Sequence, residues 1–183
     1  MITISKSGLS FEIETFDPHT GINELSTYLN QLSPLSRSRF GPHGYEVASL
    51  EQFFFRPDAP SAFVARESTH HQIIAYALLK RGFLDHDAPR LQSYGLQLDA
   101  ETDATLAPSV ADAWQSKGIG SVLLEYIIHE ARSKGIRRII LWGGVQSGNT
   151  QAMRLYQKFG FRTLGSFEYY GENLDMVLEI EQE

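Results

Sequence analysis

The stretch "QSKGIGSVLLEYIIHEARSKG", Gln115 to Gly135, decides the fold. Three small residues, Ser116, Gly118 and Gly120, stand just before an apolar run. In that run Ile119, Val122, Leu123, Tyr126, Ile127 and Ala131 follow the i, i+3, i+4 spacing of one helix face. Each Gly inside a helix costs about 1 kcal/mol relative to Ala. The glycines are therefore expected in a turn that serves the helix start, with Gly135 closing the far end.

Working outward, "ATLAPSVADAW" (104–114) reads as a strand entering the turn, and Pro108 demotes it to an edge or a distorted position. "IRRIILW" (136–142) is a short apolar strand. Asn149 can cap a helix whose inner face is Ala152, Leu155, Tyr156 and Phe159, with Gly160 ending it. "FRTLGSFEYY" and "LDMVLEI" finish as a hairpin around "GEN" (171–173). Toward the N-terminus, "LSFEIETF" (9–16) alternates like a strand and "GINELSTYLNQL" (21–32) has helical spacing. "SPLSRSRFGPHG" (33–44) reads as a loop and "YEVASLEQFFF" (45–55) as a second helix. "SAFVARE" (61–67) and "HQIIAYALLKRGFL" (71–84) read as paired strands, and 85–99 is ambiguous. Strands alternate with helices late in the chain while the middle looks antiparallel. The expected fold is an α/β domain with a mixed sheet, a single domain over 1–183.

The chain has 183 residues, 42% of them hydrophobic, enough to bury one core. No apolar run approaches the roughly 20 residues that span a bilayer, and the start lacks the order of a signal peptide. Cysteine is absent, which excludes disulfides and thiolate metal sites. A cytoplasmic protein without a metal, a membrane contact or a nucleic-acid partner is expected. The net charge of −6 points away from nucleic acid and is compatible with a cationic substrate.

Glycines in a strand–turn–helix junction let backbone N–H groups converge on an anion with no Cβ in the way. The helix N-terminus adds about half a positive charge. Together these make a phosphate or pyrophosphate cradle. A turn with no ligand has the same pattern. The dinucleotide fingerprint fails because its third glycine falls on Leu123, and no Gly-Lys-Ser/Thr follows for a nucleoside triphosphate loop.

"VADAWQSKGIGSVLL" (110–124) resembles the acyl-CoA motif of the GNAT acetyltransferase superfamily, Gln/Arg-x-x-Gly-x-Gly/Ala, at Gln115, Gly118 and Gly120. "NTQAMRLYQKFGF" (149–161) is similar to the family's Asn-x-x-Ala-x-x-Leu-Tyr-x-x-x-Gly-Phe helix, in the expected order after a helix and a strand. "LSPLSRSRF" (32–40) resembles a loop of some members. The resemblance covers residues 104–165 at motif level. It implies a mixed, mostly antiparallel sheet of six to seven strands, flanked by about four helices, with splayed parallel central strands at 104–112 and 136–142. It further implies an acyl-CoA-dependent N-acetyltransferase that uses acetyl-CoA as cosubstrate. An amine on a small molecule, peptide or protein would attack the thioester directly. Backbone amides of Gln115, Ser116, Lys117, Gly118, Ile119, Gly120 and Ser121 would take the pyrophosphate. Val110 and its neighbours would pair with the pantetheine amides, a backbone N–H near Val110 would face the oxyanion, and Asn149 would contact the cofactor arm. Tyr156 would be the catalytic acid for the leaving thiolate, unless its hydroxyl is satisfied elsewhere as in a core tyrosine. Arg154 and Lys158 could reach the 3′-phosphate or form a solvated face. A homodimer is compatible with this reading. Acceptor choice would rest on the segments 21–58, 85–101 and 166–173.

The sequence departs from the family at the general base. The slot often held by Glu is Thr105, which cannot take a proton. Freeing the lone pair of a lysine-like amine at pH 7 costs about 4–5 kcal/mol, against about 1 for an α-amine. Asp103, Glu101, His86 and Asp112 are candidate relays. The first three are expected to be exposed loop charges, and Asp112 to brace the turn. A non-catalytic acyl-CoA-binding domain is the alternative, and an enzyme preferring a longer acyl group is a third.

Overall fold

The structure, a computed structural model, describes residues 2–6 and 9–181. It contains two compact units, Met1–Leu78 with Ala107–Ile127, and Leu79–Leu106 with Ile128–Glu183.

In the first unit, β1 (Ile2–Lys6), β2 (Leu9–Thr15), β3 (Ser61–Glu67) and the first six residues of β4 (Ile73–Arg81) lie in that order. β1 pairs antiparallel with β2, and β2 with β3. Helix α1 (Pro18–Gln31) begins where Asp17 accepts the His19 N–H and Pro18 needs none to be accepted. Its Ile22, Leu25 and Leu29 face the core with Leu50 and Phe53 of α3 (Val47–Phe54). The segment 33–44, expected as a loop, holds a five-residue helix, α2 (Pro34–Ser38), capped by Ser33. Strand β5 (Asp103–Val110) contributes Ala107–Val110 to this unit, and the expected strand stops there because a single 3-10 turn, Asp112–Trp114, follows.

In the second unit, the first half of β5 pairs in parallel with β6 (Arg138–Leu141), from Asp103↔Arg138 to Leu106↔Leu141. β6 pairs antiparallel with β9 (Glu172–Glu179), which also carries β8 (Arg162–Glu168) and the two-residue β7 (Val145–Gln146). The segment 85–99 holds α4 (Ala88–Ser93), whose Leu91 packs with Leu96, Ile140 and Val177. Helix α5 (Ile119–Ser133) runs through both units, and α6 (Thr150–Lys158) belongs to the second. The mixed, mostly antiparallel sheet is the expected one. Among the described residues it has nine strands rather than six or seven, and six α-helices rather than four, because short elements such as β7, α2 and α4 lack a readable period. Among the described residues no helix is long and apolar enough to cross a membrane.

Candidate functional site

Strand β5 changes character along its length. The Ala111 N–H donates to the Ile74 carbonyl at 2.9 Å, so Ala111 faces β4. Backbone groups alternate sides along an antiparallel strand, so Val110 and Pro108 face away from β4. Beyond the Trp142 N–H to Leu106 carbonyl bond at 2.8 Å, β6 makes no further rung. Pro108 has no N–H, so the Val110 N–H is the donor this stretch presents on that side. The Val110 carbonyl is already taken by the Gln115 side-chain amide at 3.1 Å.

The turn that follows is shaped by two left-handed residues, Ser116 at φ 60° and Gly118 at φ 84°. Such a conformation is costly for Ser and is held only where the surroundings dictate it. Ser116 and Lys117 are exposed, and the Lys117 ammonium lies 5.0 Å from the Trp114 ring centroid. The first bond of the α5 ladder is Val122 N–H to the Gly118 carbonyl, 3.2 Å. The N–H groups of Ile119, Gly120 and Ser121 therefore precede the ladder, as at any helix start. The Ile119 side chain is buried and anchors the turn from below.

Asp112, just upstream, is bound by α2. Its carboxylate accepts the Ser33 N–H at 2.9 Å, the Ser33 hydroxyl at 2.6 Å and the Ser36 hydroxyl at 2.7 Å. Burial pulls its pKa up, but these donors outweigh that and hold it below the usual value. The expected brace is thus present, and its partners lie in a segment read as a loop. Sequence reading also missed a polar cluster in the same unit. The Tyr28 hydroxyl meets Ser109 Oγ at 3.0 Å, next to Val110, and its pKa is raised by burial. His43 Nδ1 faces the Gly44 carbonyl at 2.9 Å, so Nε2 accepts from the Tyr76 hydroxyl at 3.0 Å. Burial lowers the His43 pKa and keeps the ring neutral.

In the second unit Asn149 caps α6 by accepting the Ala152 N–H at 3.3 Å on its side-chain oxygen. Tyr156 is 6% exposed and its ring lies 5.3 Å from Phe161. Its hydroxyl makes no hydrogen bond among the described residues, and burial alone drives its pKa up. Thr105 is buried and donates to the Gly82 carbonyl at 2.8 Å. Asp103, expected as an exposed loop charge, is instead fully buried at the start of β5. Arg138 binds its carboxylate at 2.8 and 2.9 Å and the Asp99 N–H binds it at 2.8 Å. A charge can be buried when it is paired and hydrogen-bonded in this way. Glu101 is exposed, and His86 is exposed beside Asp87 at 3.6 Å. No group of three or more His, Asp or Glu among the described residues could hold a metal ion.

The family model of the acetyltransferase (GNAT) family matches residues 26–161. The chain is 36% identical over 72 residues to a spermine/spermidine N(1)-acetyltransferase of Bacillus subtilis, covering 39% of this chain and 45% of that protein. Over such stretches of 61 to 73 residues the chain spans only 20% to 48% of the length of the curated relatives it matches. The GNAT domain of a Streptomyces lividans protein, PAT, has the same fold, with a TM-score of 0.74 and 20% identity over 97% of this chain and 96% of that one. So has YncA of Salmonella typhimurium, an acetyltransferase structure with its cofactor acetyl-CoA, at a TM-score of 0.63 and 18% identity over 94% and 95% of the two chains. The matched span takes in both the Gln115–Ser121 turn and the Tyr156 helix, and the chain belongs to the GNAT acetyltransferase family.

Proposed function

We propose that this chain, acting as one domain, is an N-acetyltransferase that moves an acetyl group from acetyl-CoA to a primary amine by direct attack. The observation that carries the proposal is Tyr156. Its ring is buried on a helix of family sequence, yet its hydroxyl meets no hydrogen-bond partner among the described residues. A core tyrosine normally finds a partner for its hydroxyl. A tyrosine hydroxyl is protonated at neutral pH, as an acid must be, and burial pushes the pKa of this one further up.

Roles follow the family within each unit. In the first, the amides of Gln115–Ser121 hold the pyrophosphate, with those of Ile119, Gly120 and Ser121 ahead of the helix ladder. The outward Val110 N–H serves the pantetheine or the thioester oxygen. In the second, the Asn149 NH2 contacts the cofactor arm. Acetyl-CoA supplies an acyl carbon activated as a thioester. As the amine nitrogen bonds to that carbon, the carbon–sulfur bond breaks and Tyr156 gives its proton to the departing sulfur. The amine's own proton leaves to water, and Tyr156 regains a proton from water to complete the turnover. The polyamine relative supports an amine acceptor as a class without naming one for this chain.

Thr105, locked onto Gly82, favours a second reading, a domain that binds acyl-CoA without turning it over. One experiment separates the two. A panel of polyamines, amino acids and peptides is assayed for free-thiol release from acetyl-CoA. Acceptor-dependent release supports the enzyme. CoA binding with no release above thioester hydrolysis supports the binding domain, and no CoA binding removes both.

A further inference from the structure

We propose that the tip of the β8–β9 hairpin is a cation-binding site that holds a second, charged amine of a diamine or polyamine acceptor. The inference rests on the acetyltransferase reading and goes beyond it by naming the acceptor class. Every group involved lies in the second unit. Four side chains make the site. Tyr169 and Tyr170 are 66% and 91% exposed, with ring centroids 4.8 Å apart at 75°. An exposed aromatic face attracts an ammonium group. Glu168 and Glu172 flank the two rings and are register partners across the antiparallel pair. Directly opposed side chains share one face of a hairpin, and like charges there repel. Both are exposed, and neither carboxylate has an ion-pair or hydrogen-bond partner among the described residues. Arg90, further down the hairpin, does not balance them. It lies 3.7 Å over the Phe167 ring, with Asp87 and Asp175 each at 2.7 Å. Two unbalanced charges and two bare rings on one turn work against the tip, and a cationic ligand relieves both.

The turn is fixed before any ligand arrives. The amide of the buried Asn173 donates to the Tyr169 carbonyl at 2.7 Å and to the Gly171 carbonyl at 2.8 Å. The Tyr169 N–H donates to the Gly171 carbonyl at 2.9 Å, and the Ser147 N–H to the Glu172 carbonyl at 2.9 Å. With these carbonyls occupied, the tip recognises charge and apolar length rather than amides, which favours a polyamine over a peptide. The chemistry also calls for a second amine. The nitrogen that attacks the thioester must be neutral, so the one held by carboxylates and ring faces is another. The Ser147 bond ties the tip to the loop that leads into Asn149 and α6. Tyr156 follows about two turns on along that helix. An alkyl polyamine thus offers one end to the tip and the other to the reacting carbon.

The test uses the full chain, with spermidine as the probe and butylamine as the single-charge control. Spermidine binding is measured by calorimetry without acetyl-CoA, at low and at high salt. Glu168→Gln combined with Glu172→Gln should weaken it by about fivefold and flatten its salt dependence. Tyr170→Ala should weaken it by about threefold. The double Gln variant should melt no lower than the wild type, because it removes a like-charge repulsion. In turnover, the ratio of spermidine to butylamine kcat/KM should fall by about fivefold in the same variant. Spermidine affinity that ignores these variants overturns the site. So does a butylamine loss equal to the spermidine loss, or a double variant that melts lower, since the carboxylates would then serve the fold. A lysine-bearing peptide that binds the tip more tightly than spermidine overturns the polyamine assignment. A chain that turns over no amine with acetyl-CoA overturns the acetyltransferase reading and the acceptor role with it, while the calorimetry still decides whether the tip binds the cation.

Discussion

Tyr156 has a buried ring and a hydroxyl that meets no hydrogen-bond partner among the described residues, and it gives the sharpest residue-scale expectation. Tyr156→Phe keeps the ring beside Phe161 and removes only the hydroxyl. Where chemistry limits turnover, kcat should fall by about 10²-fold or more while the CoA Kd stays put. Wild-type turnover in that variant would reduce Tyr156 to packing. Gly118 is the complementary case. At φ 84° it sits where Asn is tolerated and most residues are not. Gly118→Asp should weaken CoA binding more than tenfold, a modest figure for a charge placed in an anion cradle, and Gly118→Asn should weaken it less. Equal losses in the two variants would mean that the backbone, not the charge, matters. Gly118 was legible in sequence because turn chemistry is local. Asp103 was not. A lone aspartate reads as exposed, and Arg138, 35 residues on, together with the Asp99 N–H makes its burial tolerable.

Among the elements, the β3–β4 turn carries its own acid-sensitive clasp. Glu67 accepts the Thr69 N–H at 2.5 Å and the His70 N–H at 2.8 Å. The Thr69 hydroxyl first, then these N–H groups, hold its pKa down from 4.5 to about 2. The unfolded chain therefore takes up this proton at a higher pH than the folded one. The stabilisation is complete above about pH 4.5 and is lost as the pH falls to about 2. Melting temperatures of wild type and Glu67→Gln should differ at pH 7 and converge across that window. A constant gap down to pH 2 would show that the charge is not what the turn uses. Elements with a long period were readable in sequence. α5 and α6 had repeated apolar faces, and β2 had alternation. α2 and α4 span five and six residues, too short to show a face, and are fixed by contacts distant in sequence. Ser33 and Ser36 reach Asp112 in this way, and Leu91 meets Val177. For that reason the brace was half legible: the acid could be named, its partners could not.

For the whole molecule, the fold class and both family motifs were readable because the late chain alternates strand and helix around two local signatures. The missing base is the part with a measurable consequence for overall chemistry. Thr105 has no basic atom and donates its hydroxyl to Gly82, and Asp103 is fully buried against Arg138, so neither stands free to serve the acceptor. The log of kcat/KM should then climb about one unit per pH unit below the controlling pKa. That pKa should follow the acceptor, lying higher for a lysine-like amine than for an α-amine. A profile indifferent to the acceptor would mean an enzyme base, with His43 and Glu101 the first to replace. One more consequence belongs to Pro108. A strand end that keeps one side of its backbone unpaired is the kind of surface on which proteins clump, since any extended chain can add to it. Proline withholds a donor there, so a stray strand gains one rung fewer. The residue that sets Val110 apart as the donor on that side thus also acts as a gatekeeper. Replacing it with Ala should make heated solutions cloud sooner, even where the folded protein is no less stable.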